Sequence, residues 1–233
     1  MTRKINVGGL EIGGGARVSV QSMTTARTSD AYATAEQINA LAAAGCELVR
    51  VAVPDMESAR ALREIKARVH IPVTADIQFD YRLALAAAEH GADKIRVNPG
   101  NIGSRDKVKA VADACRERGI PIRVGVNGGS LEKQLLDKYG GVTAEALAES
   151  ALGEISLLEG VGFGDICVSV KSSDVMTTVK ANRLVSRATD CPLHLGVTEA
   201  GTEFPGIIRS SAAIGALLME GIGDTIRISL TAP

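Results

Sequence analysis

Short apolar stretches alternate with Ala-rich segments of helical period along nearly the whole chain, and that alternation leaves few folds open. Strands are predicted at Val18–Gln21, Leu48–Val53, Val73–Asp76, Lys94–Val97, Ile122–Val126, Ile166–Val170, Leu193–Leu195 and Thr225–Ser229. Helices are predicted between them at Thr34–Ala44, Met56–Arg68, Tyr81–His90, Arg105–Arg118, Ala144–Leu158, Asp174–Arg187 and Ile207–Met219. Gly45, Gly91, Gly119, Gly160 and Gly221 are read as helix stops, because a left-handed C-terminal residue carries no steric penalty when it is glycine. A helix between successive strands returns the chain to the same edge, so the sheet is parallel. Eight such strands point to a closed (β/α)8, or TIM, barrel of the α/β class. Gly13-Gly14-Gly15 precedes the first barrel strand and reads as a turn in a lead-in hairpin, Ile5–Val7 with Leu10–Ile12, not as a dinucleotide-binding loop. An eighth helix is expected after Ser229, and the sequence stops at Pro233, so that helix is expected to be missing.

The 233 residues suit one barrel domain. Hydrophobic residues make up 45% but aromatics only 3%, so Val, Ile, Leu and Ala must fill the core. Twenty-six Lys and Arg against 27 Asp and Glu argue against a nucleic-acid or membrane-surface partner, which ordinarily demands a basic excess. No apolar run approaches the ~20 residues that span a bilayer, and the start reads as no signal peptide, so a cytoplasmic location is expected. Cys46, Cys115, Cys167 and Cys191 lie far apart with no Cys-x-x-Cys spacing and read as buried free thiols, so no metal site is expected in this chain.

Strand alternation carries the strongest functional signal. In Lys94-Ile95-Arg96-Val97-Asn98, the apolar residues suit the helix side, which turns Arg96 and Asn98 into the barrel. The same rule turns Arg50, Arg123, Asn127, Ser169, Lys171, Arg227 and Ser229 inward. Five cations from five strands thus converge at or near the C-terminal ends, where these barrels keep their active sites. Like charges crowded in a low-dielectric mouth are costly unless an anion compensates, and guanidinium forks match phosphate oxygens. The chemistry implied is a small ligand with two phosphoryl groups, with Asn98, Asn127 and Ser229 adding neutral hydrogen bonds. The bland alternative is internal pairing with Asp76, Asp93 and Glu199. Glu199, in the loop after the seventh strand, can exchange a proton near a ligand. His194 reads either as a hydrogen-bonded barrel residue or as part of the site. Asp80 reads as a helix cap, and Ser130 as the cap of a helix opened by Asn127-Gly128-Gly129.

Several phrases are recognisable in order: Val20-Gln21-Ser22-Met23-Thr24, Ala75-Asp76-Ile77-Gln78-Phe79-Asp80, Arg96-Val97-Asn98-Pro99-Gly100-Asn101, Arg123-Val124-Gly125-Val126-Asn127, Ser169-Val170-Lys171-Ser172-Ser173-Asp174, Pro192 to Gly201, and Gly221 to Leu230. Together they resemble the 4-hydroxy-3-methylbut-2-enyl diphosphate synthase family across nearly the whole chain. The resemblance implies an oxidoreductase of non-mevalonate isoprenoid biosynthesis that reductively opens 2-C-methyl-D-erythritol 2,4-cyclodiphosphate, with ferredoxin or flavodoxin as electron donor. It implies substrate contacts from Arg50, Asp76, Arg96, Asn98, Arg123, Asn127, Lys171, His194, Arg227 and Ser229, with Glu199 catalytic. It also implies a 4Fe-4S cluster on a C-terminal domain whose ligands this chain lacks, and a homodimer when the protein is full length. Departures are Gln78, where the family usually has His, Gly128, where it has an aromatic, and a looser stretch at Thr25-Ala26-Arg27-Thr28. Two other readings stand beside this one: a pterin-binding synthase-like transferase barrel, and a non-catalytic diphosphate-binding fragment.

Overall fold

The computed structural model describes residues 1–230. A hairpin of β1 (Ile5–Val7) and β2 (Leu10–Ile12) leads into eight parallel strands. These are β3 (Ser19–Met23), β4 (Leu48–Ala52), β5 (Val73–Asp76), β6 (Lys94–Val97), β7 (Ile122–Asn127), β8 (Ile166–Lys171), β9 (His194–Leu195) and β10 (Thr225–Ile226). They run in the order β8-β7-β6-β5-β4-β3-β10-β9, and a parallel bridge between Val168 and Leu193 closes the ring. The eight-stranded α/β barrel expected from the alternation is the fold observed.

The helices are α1 (Ala31–Ala43), α2 (Met56–Lys66), α3 (Tyr81–Glu89), α4 (Pro99–Ile102), α5 (Arg105–Arg118), α6 (Lys133–Tyr139), α7 (Ala144–Glu159), α8 (Val175–Ala188) and α9 (Glu203–Met219). Local chemistry starts them: Asp30, Asp55, Asp80, Thr143 and Asp174 each accept a first-turn backbone N–H at the N-cap of α1, α2, α3, α7 and α8. Left-handed glycines stop several, Gly119 among them with φ +63°. Gly160 departs from expectation: its φ is −64°, and Gly162 supplies the left-handed turn two residues later. Ser130 is not a helix cap either. It lies in a 3-10 turn, Gly128–Ser130, and Glu132 precedes α6. The last strand is shorter than predicted, so Arg227 and Ser229 follow its regular part in extended chain. The question of an eighth helix falls on residues from 231 on, outside the described residues.

Two apolar regions hold the barrel. The larger lies between strands and helices, where Val49, Val51, Ile95, Val124, Val168 and Val170 meet the Ala-rich inner faces of the helices. Small alanines let helices approach the sheet closely, which is how the core closes with so few aromatics. The smaller region is the floor: Ile5, Val7 and Ile12 of the hairpin pack against Leu48 and Cys167. Between floor and mouth the interior is polar, with Ser19, Gln21, Thr74, Lys94, Arg123, Ser169, Lys171, His194 and Thr225 all buried. Among the described residues no helix is long and apolar enough to cross a membrane.

Candidate functional site

Strand register brings the inward cations side by side. Arg96 pairs in register with Arg123, Asp76 with Arg96, and Asn127 with Lys171. One carboxylate serves two of them. Asp76 Oδ1 accepts from Arg96 Nη1 at 2.9 Å, and its Oδ2 lies 3.4 Å from Arg50 Nε. Arg50 also points Nη2 at Met23 Sδ, 2.8 Å away, and Arg96 Nη2 donates to the Gly125 carbonyl at 3.3 Å. Among the described residues Arg123, Lys171 and Arg227 make no ion pair; Arg123 donates to Gln21 Oε1 at 3.3 Å. Asp93 takes no part, since it pairs with Lys66 near the other end of the barrel. Internal pairing therefore reaches two of the five cations.

Glycines make room for these long side chains. A Cβ on Gly125 would stand 2.7 Å from Arg96 Nε, and one on Gly196 would stand 2.7 Å from Lys171 Nζ and 2.5 Å from the Arg227 carbonyl oxygen. Gly125 within β7 and Gly196 just past β9 thus give up side-chain volume to admit a cation from a neighbouring strand.

Burial and crowding weaken the hold of Arg50, Arg123, Lys171 and Arg227 on their protons. Burial, then Arg227 and Arg96, lower the Arg50 guanidinium to about 10 against the pull of Asp76, and burial with Arg50 and Arg96 lowers Arg123 to about 9. Arg227 is lowered by burial. Lys171 is pushed well below the ordinary lysine range by burial and by Arg123, Arg227, Arg50 and Arg96 together. His194 is completely buried in the wall, and burial with Lys171 and Arg123 holds its imidazole well below its usual value, so it is neutral.

Strand alternation also turns in a sixth cation that the sequence reading passed over. Lys94 sits two residues before Arg96 on the same face, fully buried, with no hydrogen-bond partner for its Nζ. Burial lowers its ammonium to about 8. A second missed residue is Glu154 on α7, buried among apolar neighbours; its signal is a carboxylate on the stripe Leu147, Ala151, Glu154, Leu158.

Around the rim, Asn127, Ser130, Ser172, Asp174, Thr198 and Glu199 line a cavity of about 610 Å³. Glu199 is the one non-glycine residue at positive φ, +51°, among the described residues. A left-handed glutamate costs of order 1 kcal/mol or more, a strain that clusters at functional sites. Opposite, Met23, Asp76, Gln78 and the exposed Phe79 line a cavity of about 370 Å³. Asn98 follows β6 as the N-cap of α4 with its amide against the Glu154 carboxylate, and Asn127 and Ser229 are partly exposed at the mouth.

Comparison with known proteins shows the family of the chain. The profile of the GcpE TIM-barrel domain matches residues 2–233. The chain belongs to the GcpE family. Relatives include the 4-hydroxy-3-methylbut-2-en-1-yl diphosphate synthase (flavodoxin) of Geobacter sulfurreducens, 59% identical over 230 residues, covering 99% of this chain and 65% of that protein. The enzyme of the same name from Caldicellulosiruptor saccharolyticus is 57% identical over 231 residues, covering 99% of this chain and 67% of that protein. The chain thus spans about two thirds of the length of these GcpE relatives. Solved structures of the same fold include a dihydropteroate synthase from Xanthomonas albilineans, TM-score 0.69 at 17% identity over 97% of this chain and 91% of that one. A 3-dehydroquinate dehydratase from Geobacillus kaustophilus scores 0.67 at 16% identity, covering 100% of this chain and 91% of that one. At such identities the likeness is one of fold alone.

Proposed function

We propose that residues 1–233 form the substrate-binding domain of a 4-hydroxy-3-methylbut-2-enyl diphosphate synthase, and that its ligand is 2-C-methyl-D-erythritol 2,4-cyclodiphosphate. The observation that carries this reading is the set Arg123, Lys171 and Arg227, three inward cations that no carboxylate of the described residues pairs. A diphosphate supplies the missing negative charge and enough oxygens for guanidinium forks and an ammonium together. Arg50 and Arg96 are held in place by Asp76, so their orientation is set before the ligand arrives. Asn98, Asn127 and Ser229 border the ligand, and His194 contributes a neutral part of the wall beneath it. Glu199, strained at the rim, is assigned proton delivery to the departing hydroxyl.

The family's 4Fe-4S cluster does not fit the residues described here. Cys46, Cys115, Cys167 and Cys191 are all buried, stand on different elements and do not converge, and burial raises each thiol above its usual value, opposite to what a thiolate ligand needs. Among the described residues no group of three or more His, Cys, Asp or Glu is placed to hold a metal ion. This chain's contribution is therefore binding, orientation and charge neutralisation. In the longer protein we propose a cluster-bearing domain, a homodimer, and flavodoxin as electron donor in preference to ferredoxin, since the relatives' names specify flavodoxin.

Calorimetry on the 233-residue chain at low salt tests the reading. The cyclodiphosphate is expected to bind without turnover, and Arg96→Ala or Lys171→Ala to weaken it roughly 10- to 100-fold with the fold intact. Absence of binding heat, or collapse of the fold in both variants, overturns it.

A further inference from the structure

Asn98 was read from the sequence as one of several donors to a phosphate. Its surroundings give it a different role. Glu154 reaches from α7 under α4, the short helix that follows β6, and its Oε2 accepts the Gly100 backbone N–H at 2.7 Å. The same carboxylate faces the Asn98 amide; seated with its amino group toward Glu154, the orientation that avoids setting oxygen against oxygen, Asn98 Nδ2 donates to Oε2 at 2.9 Å and also to Oε1. Above the value of about 7 to which burial pushes it, the Glu154 carboxyl is ionised and only accepts, so it fixes which end of the amide turns toward it. The fit is close: a Cβ on Gly100 would meet Glu154 Oε1 at 2.5 Å, so glycine is what lets the carboxylate in. Glu154 is 4% exposed, which places these charge-assisted bonds out of competition with water.

With its amino group committed to Glu154, the Asn98 side chain has its carbonyl oxygen at the other end. Asn98 lies just past the end of β6 as the N-cap of α4, and its extended backbone, φ −113° and ψ 107°, carries the strand's alternation two residues beyond Arg96 to the edge of the cationic mouth. An oxygen there repels phosphate oxygens and accepts from a group that carries a hydrogen. We propose that Glu154 is a positioning residue that turns the Asn98 amide oxygen toward the mouth, so that Asn98 reads a hydroxyl of the ligand and not its diphosphate. The proposal rests on the diphosphate-binding reading above and deepens it: the cations hold the charged end of the ligand, and the Glu154–Asn98 pair fixes the orientation of its carbon skeleton.

The test compares two probes by calorimetry at pH 8.5, above the value of about 7 to which burial pushes the Glu154 carboxyl. The probes are methylerythritol cyclodiphosphate, which carries carbon-bound hydroxyls, and inorganic pyrophosphate, which carries none. Asn98→Ala is expected to weaken the cyclodiphosphate about tenfold and to leave pyrophosphate within twofold. Glu154→Gln keeps an acceptor for Gly100 but presents a donor to Asn98, so the amide turns over and its amino group faces the mouth. The ratio of the two affinities is then expected to shift at least fivefold toward pyrophosphate, and the Asn98 side-chain amide signals in a 1H–15N spectrum of the free chain to move. Equal weakening of both probes in Asn98→Ala, or Asn98 amide signals unmoved in a folded Glu154→Gln, overturns the positioning proposal while leaving the diphosphate reading standing. Failure of the unaltered chain to bind either probe overturns both.

Discussion

Lys171 is buried among four arginines, and this is the setting in which an ammonium most readily gives up its proton. A bound diphosphate reverses the field, raising the Lys171 pKa, so binding takes up protons. Calorimetry in buffers of different ionisation enthalpy is expected to show net uptake near and above neutral pH, and Lys171→Met to abolish most of it; uptake that persists in the variant places the proton elsewhere. Gly125 and Gly196 act through volume. Gly125→Ala puts a methyl 2.7 Å from Arg96 Nε and must push that guanidinium off Asp76; affinity is expected to fall, with a smaller loss of stability because a side chain gives way more easily than backbone. Gly196→Ala also meets backbone, the Arg227 carbonyl oxygen at 2.5 Å, so it is expected to lower the melting temperature as well. The opposite ranking in thermal melts would mean the strands give more easily than the side chain. Which residues point inward was legible from alternation alone. Asp76 serving two arginines was not, because the Arg50–Asp76–Arg96 contact joins three strands whose register is set by the closed barrel.

Among the elements, the long helices were legible because each carries a capping residue and a periodic apolar face. Helices α4 and α6 were not: at four and seven residues they are too short to show a period, and isolated helices of that length are unstable without tertiary support. The 54-residue separation between Glu154 and Gly100 puts their contact equally beyond local pattern. The hairpin β1–β2 was read correctly as a lead-in, while its role as the barrel's floor follows only from Ile5, Val7 and Ile12 meeting Leu48 and Cys167. Ile12→Ala removes a fully buried side chain there and is expected to destabilise the fold by about 2–4 kcal/mol. Because the floor lies at the far end from the mouth, diphosphate affinity measured on the folded variant is expected to be unchanged. A large loss of affinity would show that floor and mouth are coupled.

For the molecule as a whole, a polar, cation-rich interior inside an apolar annulus sets stability against ligand binding. Lys94 displays the conflict most sharply, being buried without a hydrogen-bond partner and lowered to about 8 by burial. Between pH 8 and the ordinary lysine value of 10.5, the unfolded chain holds a proton that the folded chain releases. Stability from this group therefore rises with pH across that window, and its penalty is fully present below it. Lys94→Met is expected to raise stability at pH 7 by roughly 1–3 kcal/mol, a gain that shrinks toward pH 10.5. Denaturant melts showing a loss, or a gain independent of pH, would place a compensating partner on Lys94. Diphosphate, by mass action on the folded state, is expected to raise the melting temperature of the unaltered chain.

The eight strands, the seven long helices, the closed parallel barrel and five of the six inward cations followed from the sequence itself, because periods of two and 3.6 residues are local and each strand declares its own two faces. The pairing of Asp76 with two arginines, the depth at which Lys94 is buried and the grip of Glu154 on Asn98 were decided only when the barrel closed. Those contacts join residues 20 to 56 positions apart, and at such distances it is the packing of whole elements, not local period, that determines which side chains meet.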